Sequence, residues 1–128
     1  MSFTARVTKT ITEGSTTITK TNTYTVETSY KLQETVTDGE TNTQFLLAID
    51  QSELKAYGMS ATQAMTVYTN DAGTGTPRET FVLVANEPIL FEDGIDSDIF
   101  AGDVTSIYVT NASGTDGVLN IVAAIDGP

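Results

Sequence analysis

Apolar and polar residues alternate along much of this chain, with the period of a β-strand. Phe3, Ala5, Val7 and Ile11 alternate with Thr4, Arg6, Thr8, Thr10 and Thr12, which places the two sets on opposite faces. Glu13-Gly14-Ser15 supplies a turn. From Thr16 onward the even positions read Ile18, Lys20, Asn22, Tyr24, Val26, Thr28, Tyr30 and Leu32, while the odd ones are Thr, Glu, Ser and Lys. This second run reaches about residue 36 without Gly or Pro. At about 3.3 Å per residue, twenty residues span about 65 Å, far beyond a usual strand. Either a bulge or corner breaks the run, or the ribbon extends beyond the core. Lys20 and Asn22 on the apolar face favour extension near residues 18–24. Residues 3–26 are therefore expected to form a projecting hairpin, and residues 1–36 an arm able to contact a neighbouring subunit.

Further along, Asp38-Gly39 marks a turn and Gln44–Ile49 a strand. Asp50–Tyr57 is the one helical candidate. Asp50 and Glu53 fit a capping box, Leu54 and Tyr57 lie three apart on one stripe, and Gly58 fits a helix stop. Strands are predicted at Met65–Thr69, Glu79–Ala85, Val104–Thr110 and Val118–Ile125, with a short edge strand at Pro88–Phe91. Asn70–Pro77 reads as a loop, and Asn111–Gly117 as the hairpin connection between the last two strands. Regular strands with almost no helix predict one all-β domain over residues 1–128: an antiparallel β-sandwich or jelly roll with one short helix and an extended Thr-rich N-terminal ribbon. Phe81–Ala85 and Leu119–Ile125 are apolar on both faces. Their outer faces are covered either by a loop or the helix, or by another subunit.

Composition narrows the chemistry. Thr fills fifteen of the first 43 positions, which suits an exposed strand face. The chain has no His, Cys or Trp, which removes the commonest general base, thiolate nucleophiles and zinc–cysteine sites. Net charge is −11, and residues 65–128 carry ten acids against one base. Such a surface repels phosphate backbones and anionic membranes, so neither nucleic acid nor membrane is expected as a partner. The N-terminus has no apolar run like a signal-peptide core, and the strand pattern starts almost at Met1, so a complete small gene product is expected. Ser and Thr lack a His or suitably placed Lys to activate them, and a two-carboxylate glycosidase would want aromatic sugar platforms. No enzyme activity and no cofactor are expected.

Weaker motifs have bland counterparts. Asp93, Asp96 and Asp98 alternate in a Gly-containing loop and are a calcium candidate, set against a solvated acidic loop. Gly73-Thr74-Gly75 lacks the Gly-Lys-Ser/Thr ending of a phosphate loop and reads as a turn. Asn111-Ala112-Ser113 matches a glycosylation triplet. Lys9, Lys20 and Lys31 are candidates for isopeptide crosslinks to Asn, which would need a buried Lys, Asn and acid together.

The stretch from Asp103 through Thr110 and Asn111 to Thr115, with Val118–Asp126, resembles the closing hairpin of small β-sandwich virion proteins of tailed phages. Such proteins are capsid decoration (cement) subunits or tail accessory parts. The resemblance spans roughly the last 60 residues, on a generic strand-turn-strand motif. It implies a non-enzymatic virion structural protein, assembled in the host cytoplasm as a homo-oligomer, with a trimer favoured, on a capsid or tail protein. The residues expected at subunit contacts are Phe3, Val7, Ile11, Ile18, Tyr24, Tyr30, Val82, Val84 and Val122. The rival is a receptor- or glycan-binding module of a tail fibre or surface adhesin, using the loops at Asn70–Pro77 and Asn111–Gly117.

Overall fold

The computed structural model of the chain describes residues 2–71 and 79–126. Ten strands account for its regular structure: β1 (Phe3–Glu13), β2 (Thr16–Val26), β3 (Thr28–Val36), β4 (Thr43–Ile49), β5 (Leu54–Ala61), β6 (Met65–Thr69), β7 (Thr80–Leu83), β8 (Ile89–Glu92), β9 (Val104–Thr110) and β10 (Gly117–Ile125). All pairings are antiparallel. One four-stranded sheet runs β3-β10-β5-β8 and another β4-β9-β6-β7, while β1 and β2 form a separate two-stranded sheet. The long run from Thr16 to Val36 breaks at Glu27, a bend that ends β2 and starts β3.

The two four-stranded sheets enclose one core. Tyr57, Met59, Leu119, Ile121 and Phe91 from the first meet Leu47, Val67, Leu83, Ile107 and Val109 from the second. Phe100, in the loop before β9, sits edge-on to Tyr57 at 5.1 Å and to Phe81 at 6.0 Å, geometry that aromatic pairs favour. Burial also pushes the Tyr57 phenol up from its ordinary value.

The expected helix at Asp50–Tyr57 is not formed. Asp50 does cap a turn, its carboxylate accepting from Ser52 N at 3.0 Å, but that turn is a 3-10 turn of Gln51–Glu53 only. Leu54 already belongs to β5, and Gly58 lies inside that strand opposite Leu90 and Val122. The three-residue spacing of Leu54 and Tyr57 arises from a register shift between Ala124 and Ile125, which pair with Ala56 and Leu54. The extra residue, Lys55, lets both apolar side chains point inward. Ladder bonds to β10 and β8 then outweigh a marginal helical preference.

The Asn111–Gly117 connection is likewise not a hairpin, because β9 and β10 belong to different sheets. Asn111 is buried, its Nδ2 donating to Val36 O at 2.8 Å and Thr115 O at 2.9 Å, and Ser113 N donates to its Oδ1 at 3.1 Å. That side chain fixes the crossing between the sheets, and burial keeps it from serving as a glycan acceptor.

Candidate functional site

The most distinctive feature outside the core is the way β1 and β2 lie on the outer face of the β3-β10-β5-β8 sheet. Their register pairs Phe3 with Val26, Ala5 with Tyr24, Val7 with Asn22, Lys9 with Lys20 and Ile11 with Ile18 on one face. The other face carries Thr8/Thr21, Thr10/Thr19 and Thr12/Thr17, joined through their hydroxyls at 3.0, 2.7 and 3.2 Å. Directly opposed side chains share a face, so alternating Thr yields a hydroxyl ladder while the other positions face the sheet.

At the base of the hairpin the face opposite the Thr ladder is buried. Val26, Ala56 and Ala124 form a small cluster with Ala5, Val7 and Tyr24 against it. Small residues at Ala56 and Ala124 let the hairpin sit close to the sheet. The outer face of β10 is therefore covered at Ala124 by the chain's own hairpin, neither by a helix nor by a second subunit.

A carboxylate locks this contact. Glu92, at the end of edge strand β8, has a side chain 1% exposed. It accepts from Tyr24 Oη at 2.7 Å and Asn22 Nδ2 at 2.8 Å, and pairs with Lys9 Nζ at 3.0 Å. The bond from Tyr24, aided by those from Asn22 and Lys9, holds the Glu92 carboxyl below the usual carboxylate range despite its burial. In return, desolvation and the Glu92 hydrogen bond push the Tyr24 phenol up to about 12. Glu92, aided by the Asp96 carboxylate at 3.8 Å, raises the Lys9 ammonium. Asp96 in turn accepts from Glu92 N at 2.9 Å, across a turn in which Gly94 has φ +81°.

Lys9 and Asn22 thus share one carboxylate, the grouping that an isopeptide crosslink would use. Such a crosslink needs a neutral amine, and here the carboxylate is ionised and favours the ammonium, which is 46% exposed. The cluster is a clamp. Asp93 pairs with Lys55 at 3.2 Å and Asp98 is exposed. Among the described residues no three acidic groups are placed to hold a metal ion, so Asp93, Asp96 and Asp98 do not converge.

Beside the hairpin lies a trench of about 540 Å³, bounded by Phe3 and Val7 of β1 and floored by Gly58, Leu90, Asn120 and Val122. Beyond Lys9 the hairpin is exposed on both faces: Ile11 and Ile18, paired across the strands, are each 71% exposed. Of the other expected contact residues, Phe3 and Val122 are partly exposed at the trench, Val7 and Tyr24 are half-buried on the hairpin's sheet-facing side, and Val82 in β7 and Val84 just past it are exposed. Tyr30 is half-buried against the core, its hydroxyl donating to Leu46 O at 3.2 Å. The Glu92 clamp was not foreseen. An isolated Glu after an apolar strand carries no local signal, and its partners lie 68 and 70 residues away. Of the loops considered for glycan binding, residues 72–78 lie outside the described residues, as does Gly73-Thr74-Gly75. Among the described residues no helix is long and apolar enough to cross a membrane.

No protein-family model matches the chain, and no curated protein matches it. Among solved structures, a chain from Bacillus endospore appendages, described as a novel family of disulfide-linked pili, is similar over 78% of this chain and 88% of its own, at 14% identity and a TM-score of 0.39.

Proposed function

We propose that this chain is a non-enzymatic assembly subunit, of the kind that coats a virion shell, and that it associates through the β1–β2 hairpin and the sheet beneath it. The observation that carries this reading is the placement of exposed large apolar side chains. Ile11 and Ile18 stand at the end of a clamped hairpin, Leu46 and Val82 are 72% and 73% exposed on two further strands, and Val84, just past β7, is 61% exposed. Single exposed apolar residues are ordinary, but paired ones held on rigid strands are suited to burial against another protein. Nothing in the Glu92 cluster favours proton transfer or nucleophilic attack, since each member is held in its ordinary charge state.

We infer further that the body is a jelly roll. Its pairings are nested, β6 with β7, β5 with β8, β4 with β9 and β3 with β10, as in a long hairpin rolled into two sheets. This architecture presents edges at β3, β4, β7 and β8, and edges in an assembly subunit are available for contact. The proposal is tested by incubating purified protein with candidate capsids and examining the particles by electron microscopy. Regular added density supports it, and no association with any particle, together with a monomeric state in solution, refutes it.

A further inference from the structure

We propose that the trench beside β1 receives the hairpin tip of a second copy of this chain, the two β1 strands pairing edge to edge about a two-fold axis. The inference rests on the assembly reading and names the partner at that site. Four observations converge on it. First, β1 pairs with β2 on one side only, and among the described residues no strand pairs with its other edge. That edge presents unpaired N–H and C=O groups, the usual template for strand addition.

Second, the trench lies along this same edge, at residues Phe3 to Val7. Its floor exposes Leu90 and Val122, 43% and 47% accessible, with Gly58 between them. Third, the hairpin carries its own matching apolar knob. Ile11 and Ile18 are on the face that carries Phe3 and Val7, yet they lie past the clamped part of the hairpin and cover nothing. A rigid strand cannot fold Ile11 back onto a trench that begins at its own Phe3. A second copy can supply it.

Fourth, the charges match. Among the described residues the charged side chains lining the trench are Arg6 and Lys31, with no carboxylate beside them, whereas Glu13 is the one acid of the hairpin.

One antiparallel register brings the knob to the trench. Antiparallel pairing that sets Thr8 opposite Thr8 of the second copy sets Ile11 opposite its Ala5, between its Phe3 and Val7, and Glu13 opposite its Phe3. Because the contact is isologous, each copy fills the other's trench, and every favourable contact occurs twice.

The test uses the full chain, which has no Cys. Thr8→Cys places two thiols in directly opposed positions, about 4.5–5.5 Å apart between Cβ atoms, and mild oxidation should give a disulfide dimer in high yield. Thr4→Cys is the control. Its counterpart in the second copy is eight residues along the pair, about 26 Å away at 3.3 Å per residue, and should stay reduced. Ile11→Asp with Ile18→Asp should convert the dimer to monomer in light scattering without changing the circular dichroism, because both side chains are solvent-exposed. Val122→Glu, opposing Glu13 from the trench floor, should do the same. An oligomer that survives these changes and leaves Thr8→Cys reduced overturns the pairing while the assembly reading stands. A protein that is monomeric at every concentration, and that binds no capsid, overturns both.

Discussion

Replacing Glu92 by Gln tests whether a single carboxylate holds the hairpin to the sheet. The wild-type side chain accepts from Tyr24, Asn22 and Lys9 at 2.7, 2.8 and 3.0 Å. Lys9 is nearly half exposed, and its contribution is screened by water. The bonds from Tyr24 and Asn22 are made to an ionised acceptor with a 1% exposed side chain, and each contributes on the order of 1.5–3 kcal/mol. Both bonds are accepted by Oε1, which Gln keeps, while its NH2 replaces the oxygen that faces Lys9 Nζ; what is lost is the charge assistance, about half of each bond, or roughly 1.5–3 kcal/mol in all. The loss falls on the hairpin, whose remaining anchor is the small cluster at Val26, Ala56 and Ala124. Hydrogen exchange followed by mass spectrometry reads this locally. Exchange in peptides from residues 3–26 should rise about 10- to 150-fold at 1.4 kcal/mol per decade, with peptides from 104–125 unchanged. An equal rise in both would show that hairpin and body unfold together. No rise in either would show that the carboxylate holds nothing.

Four further outcomes are expected, two at the clamp and two in the body. Because the Glu92 carboxyl is lowered from 4.5 in the folded state, its contribution is complete above pH 4.5 and is lost as pH falls through the folded value. Tyr24 has the opposite sign: its phenol is raised from 10.0 to about 12, so its contribution is complete below pH 10 and is lost as pH rises through about 12. Hairpin protection on the acid side, and the tyrosinate absorbance difference between wild type and Tyr24→Phe on the alkaline side, check the two limits. Asn111→Ala leaves the Val36 and Thr115 carbonyls without their buried donor. It should cost about 2–3 kcal/mol, or roughly 10 °C of melting temperature, and an unchanged transition would contradict the role given to that side chain. Gly117→Ala puts a Cβ 2.6 Å from Met65 Cε and 3.0 Å from Gln63 Cβ, and urea denaturation should show a loss of about 1–3 kcal/mol from overpacking.

The all-β class is legible because strand alternation is local. Phe3 to Ile11 and Ile18 to Val26 declare their faces within a few residues, and Pro88–Phe91 overlaps the edge strand Ile89–Glu92. Errors arise where a long-range pairing decides. Leu54 and Tyr57 have helical spacing only because a bulge against Ala124 and Ile125 inserts Lys55. Val104–Thr110 and Val118–Ile125 look like a hairpin because a short polar loop joins them, and nothing local reveals that Asn111 is anchored to Val36 across the two sheets. The clamp escaped for a related reason. Lys20 and Asn22 on the apolar face read as a sign of exposure, yet Asn22 is there to meet Glu92, 70 residues away. Polar residues on an apolar strand face mark either solvent or a buried partner, and only the tertiary contact distinguishes them.

If the exposed apolar side chains of the clamped hairpin serve assembly, the wild-type protein is an oligomer in solution. Size-exclusion chromatography with light scattering tests it most directly. A mass at a fixed multiple of 13.6 kDa, reduced to a single chain by Ile11→Asp with Ile18→Asp, is the result predicted. A single-chain mass for the wild type across the whole concentration range would contradict it.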